Sequence, residues 1–227
     1  GAALIYFKQQ LGYKTYLLVG ANGEGGNNQL GERFGEELKT LRTGELMSAT
    51  NFLRVDQVNS LNALDFGYTS FEKEVWRFWD RKSLLGKLVY YIRLIRPEII
   101  ISKNRMTDSH GHHKAFISLA KEAFMKAQDY KEFNYQLKLG LLPSVPKAFL
   151  VRSEAETGKF KIDSTLKIGG KSISQLEVEA LRKHQSQGDW SWYQKVAESK
   201  KNIEYEIIGS SRDFDGFPKS EEKTSEE

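Results

Sequence analysis

Cysteine is absent from the 227-residue chain. This excludes disulfides, thiolate zinc sites and a cysteine nucleophile, so any metal must be held by His, Asp or Glu. No uninterrupted apolar stretch approaches the roughly 18 residues of a membrane span, and no basic-then-apolar leader opens the sequence. A basic stripe is missing too: 34 Lys and Arg are interleaved with 30 Asp and Glu for a net charge of +4. With no recognised binding motif, nucleic acid is not an expected partner. Phosphate-cradling loops are also lacking. A G-x-G-x-x-G run from Gly23 would need glycine where Asn28 stands, and the Lys171-Ser172 pair has Thr165 in place of the upstream glycine. Both segments read better as turns.

What is present fits an ordinary globular α/β protein, 39% apolar and 28% charged. We expect one domain over residues 1–218 and a polar, acidic, disordered tail over 219–227. The opening run Gly1-Ala2-Ala3-Leu4-Ile5-Tyr6-Phe7 enters an amphipathic pattern without a capping Ser, Thr, Asp or Asn. That abruptness predicts a chain cut from a longer one, whose localisation signals could have gone with the missing part.

The apolar spacing predicts a helix over 2–11 closed by Gly12, a buried strand over 15–19, and a Gly- and Asn-rich loop over 20–31. A helix over 34–53 follows, then a strand ending at Leu64-Asp65-Phe66-Gly67 and helices over 72–79 and 83–96, the last stopped by Pro97. Glu98-Ile99-Ile100-Ile101-Ser102 reads as a strand of the kind parallel sheets bury on both faces, with a helix over 112–127 after it. Further on come strands at 148–151, 160–162 and 203–208, a polar stretch over 153–159, a helix over 174–185, and an aromatic cluster at Trp190, Trp192 and Tyr193. Alternating strands and helices imply a mostly parallel sheet with helices on both faces and ligands at the carboxyl ends of the strands. The loops after Val19, Phe66 and Ser102 would open there.

Three of the four histidines fall within Ser109-His110-Gly111-His112-His113, directly after a buried strand. If a helix starts here, His110 and His113 face the same side, which suits one metal ligand beside one acid or oxyanion-stabilising imidazole. A solvated loop or a His-rich helix cap is the plainer alternative. Arg42 and Glu45 read locally as an exposed i,i+3 pair, and Asp65 as a turn former or cap. Trp76, Phe78 and Trp79 suit packing, or stacking on a sugar. His184 suits a helix C-terminal cap.

Taken in order, Gly23-Glu24-Gly25-Gly26, Leu41-Arg42-Thr43-Gly44-Glu45-Leu46, Leu64-Asp65-Phe66-Gly67-Tyr68, Arg96-Pro97-Glu98-Ile99-Ile100-Ile101, His110-Gly111-His112-His113 and His184-Gln185-Ser186-Gln187 resemble the PIG-L/LmbE-like zinc-dependent N-deacetylases. The resemblance implies a Rossmann-like three-layer sandwich. It implies Zn2+ as cofactor, with His113 as a zinc ligand and His110 stabilising the oxyanion or protonating the leaving amine. Arg42 and Asp65 match positions that shape the substrate pocket. Asp108 stands where some members have a tyrosine. Members of the family begin with a strand and an A-H-P-D-D-E-like loop supplying two more ligands and the general base, and this sequence contains no such motif.

The expectation is therefore a first strand missing from the sheet, and zinc held weakly or not at all by His113 with at most Asp108 or His110. The function implied is removal of an acetyl group from an N-acetylated amino sugar, such as an N-acetylglucosamine unit, or from a glycoconjugate, impaired in this chain. Two rivals stay open. One is a degenerate member that binds a sugar through Arg42, Asp65 and aromatic side chains without hydrolysis; the other is a ligand-binding α/β domain in which the histidines are incidental. Association into oligomers is compatible with either.

Overall fold

The computed structural model describes residues 1–105, 107–153, 159–211, 214, 216 and 217. The expected acidic tail and residues 154–158 of the polar stretch lie outside them. Among the described residues, no helix is long and apolar enough to cross a membrane.

Helix α1 (Ala2–Ile5) widens into a π-turn over Tyr6–Gln10 and leads into strand β1 (Tyr16–Ala21). The helix lacks a side-chain cap of its own; instead the buried Glu177 carboxylate accepts the Ala2 N–H at 3.1 Å. Helix α2 (Gly35–Leu53) stops where Arg54 turns left-handed at φ 58°, and strand β2 (Gln57–Ala63) follows. The predicted strand thus ends before Asp65, which belongs to the loop beyond.

The short helix α3 (Glu72–Val75) replaces the longer one expected. Helix α4 (Arg81–Ile95) begins two residues early because Asp80 accepts the Ser83 N–H at 3.1 Å, a side-chain cap. Strand β3 (Ile99–Ser102) leads to helix α5 (Gly111–Lys126). Beyond them lie β4 (Ala148–Arg152), β5 (Phe160–Asp163), the hairpin β6 (Lys167–Ile168) and β7 (Lys171–Ser172), α6 (Ile173–Leu181), α7 (Ser191–Ser199) and β8 (Asn202–Ser210). Ser172 and Gln175 close a capping box on α6.

The sheet is mixed, not mostly parallel. β1 pairs with β2 in parallel, and a second sheet runs β3-β4-β8-β5, in which β8 is antiparallel to both neighbours. The reason is visible in β8: Ile203, Tyr205 and Ile207 alternate with Glu204 and Glu206, the period-two pattern of an antiparallel strand. Among the described residues no pairing joins β1 to β3.

Side chains of the second sheet alternate between two cores, which gives three layers. Ile100, Phe149 and Val151 point towards α5, while Ile99, Ile101, Leu150, Ile162 and Ile203 pack under α1 and α6. Phe149, Leu150 and Val151 are at most 1% exposed, and such burial contributes roughly 1.5–3 kcal/mol per side chain. Leu18, Ile100 and Ala115 share a third cluster with Leu84, Leu88 and Ile92 of α4, which sets the carboxyl end of β3 and the start of α5 against the loops leaving β1 and β2.

Candidate functional site

Helix α5 is built to start at Gly111. His110 is its N-cap, and the Nδ1 of His110 accepts the His112 N–H at 3.3 Å. The Gly111 N–H donates to the Thr69 carbonyl at 2.6 Å. A Cβ on Gly111 would sit 2.8 Å from Thr69 Cγ2 and 2.9 Å from the Phe71 carbonyl oxygen. Only glycine lets the 65–71 loop close on the helix start, and that closure lays the Tyr68 ring edge-on to His110 with centroids 5.1 Å apart.

His110 and His113, one turn apart, stack with centroids 4.9 Å apart and planes at 28°. Asp108 serves both. Its Oδ1 accepts the His110 N–H at 3.0 Å, and its Oδ2 lies 2.9 Å from His113 Nδ1, off the straight line of an ideal hydrogen bond. The His112 N–H donated to Nδ1 of His110 leaves the proton of that ring on Nε2, and the Asp108 carboxylate beside Nδ1 of His113 favours the opposite tautomer there, with Nε2 as acceptor.

The electrostatics favour a neutral His110. Burial, then the neighbouring His113, holds His110 below the usual imidazole range against the pull of Asp65 and Asp108. Burial works against the Asp108 charge, yet the His110 N–H and the His113 side chain outweigh it and hold that carboxyl below its ordinary value. The His112 ring also lies against His110, with centroids 5.0 Å apart and planes at 31°, but it is enclosed by aromatic side chains. It stacks on Trp79 at 5.1 Å and 18° and meets Phe66 at 4.4 Å, is 7% exposed, and has a lowered pKa caused first by burial. It is part of the packing.

The model of the family described as PIG-L, GlcNAc-PI de-N-acetylase, matches residues 1–124, which includes the whole His110–His113 segment. The chain belongs to the PIG-L family. Among solved structures, this PIG-L chain is similar to the N,N'-diacetylchitobiose deacetylase of Pyrococcus horikoshii, with a TM-score of 0.72 and 16% identity over 91% of this chain and 77% of that one. It is similar to GalB, the 4-carboxy-2-hydroxymuconate hydratase of Pseudomonas putida KT2440, with a TM-score of 0.63 and 16% identity over 92% and 90%. A deacetylase of teicoplanin biosynthesis matches with a TM-score of 0.55 and 15% identity over 94% and 93%. No curated protein matches the sequence. Identities this low establish the shared fold, and a hydratase among the neighbours means the fold alone does not name the reaction.

The PIG-L chain brings His110 and His113 together and sets Asp65 at the start of the loop whose Thr69 carbonyl accepts the Gly111 N–H. Arg42 is engaged elsewhere. Its Nη1 donates to the Gly23 carbonyl at 2.6 Å, its Nη2 to the Asn27 carbonyl at 2.6 Å, and its Nε to Ser186 Oγ at 3.3 Å. Glu45, two hydrogen bonds from Ser186 at 2.6 and 2.7 Å, is buried and not an exposed ion-pair partner. Nothing local in the sequence announces a contact across 141 residues. His184 caps no helix; it precedes the 3-10 turn Gln185–Gln187, with its Nδ1 buried. Burial, then the Lys103 charge, lowers its pKa.

PIG-L relatives are typically zinc-dependent. A catalytic zinc site takes three protein donors and an open position, and among the described residues no group of three or more His, Asp or Glu is arranged to hold a metal. His113 Nε2 has the lone pair and the carboxylate-backed Nδ1 of a ligand, but the donor set here falls short of a complete site.

Proposed function

We propose that this chain carries the substrate-polarising half of a deacetylase that removes the acetyl group from an N-acetylated amino sugar or glycoconjugate. One observation carries the reading: two imidazoles stacked 4.9 Å apart, one accepting the His112 N–H at Nδ1 and the other with Nδ1 2.9 Å from the Asp108 carboxylate, an arrangement that favours a donor Nε2 on His110 and an acceptor Nε2 on His113. The His110 Nε2–H is a neutral donor for an amide carbonyl oxygen, and its bond strengthens as negative charge develops there. The same proton can pass to the leaving amine. Asp65, in the loop closing on α5, accepts from a sugar hydroxyl, and its backbone is fixed by Glu24 Oε1, which accepts the Asp65 N–H at 3.2 Å. His113 is the zinc donor this chain offers, and with so few partners it binds zinc weakly.

The shortfall of donors favours one alternative, a member that binds a sugar without hydrolysing it. Incubating the chain with N-acetylglucosamine and with N,N'-diacetylchitobiose, with and without zinc, and measuring free amine and sugar binding separates them. Amine release lost in His110→Ala and His113→Ala supports hydrolysis. Binding without release supports the alternative, and neither binding nor release overturns both.

A further inference from the structure

The half-buried Arg42 guanidinium is wrapped by the glycine loop. The loop passes round it, so that a Cβ on Gly26 would lie 2.3 Å from Nη1 and one on Gly23, at φ +82°, would lie 2.7 Å from the same atom. Both Nη atoms donate to loop carbonyls, on either side of Glu24-Gly25-Gly26, and Nε donates to Ser186 Oγ. Ser186, fully buried, is pinned by both oxygens of Glu45, one helical turn along α2, and its carbonyl accepts the Gln29 N–H at 2.9 Å. A planar fork can hold two carbonyls and a hydroxyl at separated, fixed positions, a spread that a compact ammonium does not match.

From this brace the connection to the site is direct. The braced segment contains Glu24, which holds the Asp65 backbone, and Gly25, whose Cα packs so closely that a Cβ would lie 2.3 Å from the Asp65 carbonyl oxygen. Asp65 opens the 65–71 loop, whose Thr69 carbonyl accepts the Gly111 N–H at 2.6 Å and whose Tyr68 ring lies 5.1 Å from the His110 ring.

We propose that Arg42, with Glu45 and Ser186, is a positioning brace that fixes the glycine loop and the His184–Gln187 segment so that Asp65 is presented beside His110, and that Arg42 acts on the substrate only through them. The inference rests on the sugar-deacetylase reading for what the site receives, but the brace itself has an independent readout.

The test compares Arg42→Ala, Arg42→Lys and Gly26→Ala with the unaltered chain. Amide hydrogen exchange is followed over residues 23–29 and 184–188, and binding is measured for N-acetylglucosamine and its anionic 6-phosphate. A tenfold change in exchange or affinity corresponds to about 1.4 kcal/mol. Arg42→Ala and Gly26→Ala are each expected to speed exchange in both segments by at least about tenfold and to weaken both sugars by the same factor. Combining Arg42→Ala with Gly26→Ala should be no worse than either single substitution. Arg42→Lys, able to restore one carbonyl bond, recovers part of the effect and keeps the proposal testable if Arg42→Ala fails to fold. Unchanged exchange, or a loss confined to the phosphorylated sugar, would mean that Arg42 touches the ligand and would overturn the brace. If the unaltered chain binds neither sugar, the sugar reading fails, while the exchange comparison still decides whether Arg42 acts through the loops.

Discussion

Adding one methyl group at Gly25 and the same group at Gly44 should move stability in opposite directions. A Cβ on Gly25 would stand 2.3 Å from the Asp65 carbonyl oxygen and 2.5 Å from the Gly67 nitrogen. Both are backbone atoms, and no rotamer relieves the clash. Real contacts stay outside 3.0 Å, so the loop must retreat by at least about 0.7 Å, and overpacking of this kind costs about 1–3 kcal/mol. Gly44 lies within α2 with open space where its Cβ would go. There alanine removes unfolded-chain freedom at no contact cost and should stabilise by about 0.5–1 kcal/mol. For a chain of this size each kcal/mol moves Tm by about 2–4 °C, so thermal unfolding followed by circular dichroism should separate the two variants by several degrees, Gly44→Ala above the parent and Gly25→Ala below it. A Gly25→Ala protein as stable as the parent, or a Gly44→Ala protein as damaged as Gly25→Ala, would refute the packing argument that places Asp65.

Arg93, 2% exposed, donates to Gln136 Oε1 and to the carbonyls of Lys126, Ala127, Asp129, Glu132 and Phe133. Arg93→Met removes these six bonds, leaves the buried Gln136 Oε1 without its donor and should cost about 2–4 kcal/mol in urea unfolding; a loss under about 1 kcal/mol would contradict the assigned network. Acidification should destabilise the fold in two stages. His110, His112 and His184 have pKa values lowered in the fold from 6.5, so the unfolded chain takes up their protons first and stability falls as pH drops below that value. Asp56, bound to Lys8 and Thr15, and Asp108 have pKa values lowered from 3.8, and the stability they contribute above that value is lost as pH falls through their folded values. A flat stability profile from pH 7 to pH 5 would contradict the first stage. Asp108→Asn should weaken any zinc retained by the chain about as much as loss of an outer partner commonly does, some 10–100-fold, measured by competition with a chromogenic chelator; unchanged retention would remove Asp108 from its orienting role.

Much of the architecture was legible because periodicity and punctuation agree. The apolar run Ile99-Ile100-Ile101 is a strand, Pro97 stands just past the end of α4, and the His110 segment opens a helix as its spacing suggested. What escaped is set by contacts distant in sequence or by features with no strong period. The π-turn at Tyr6–Gln10 keeps a helical pattern and differs only in its hydrogen bonds. Helix α7 was hidden in an aromatic cluster. Strand β8 alternates as an antiparallel strand does, but its partners, β4 and β5, could not be assigned from alternation alone. At the site, the juxtaposition of His110 with His113 follows from a three-residue spacing. The use of Arg42 depends on Ser186, which lies 144 residues away, and the orientation of both imidazoles depends on Asp108 in a loop without regular structure.

The reading of this site stands on which nitrogen carries the proton in two histidines, and that is directly measurable. With only four histidines in the chain, long-range nitrogen–proton NMR correlation spectra of the side chains, taken at a pH where all are neutral and assigned with His110→Ala and His113→Ala, resolve each tautomer. The account predicts the proton on Nε2 in His110 and on Nδ1 in His113. The same tautomer in both rings would contradict it, because the site would then no longer pair a donor with an acceptor.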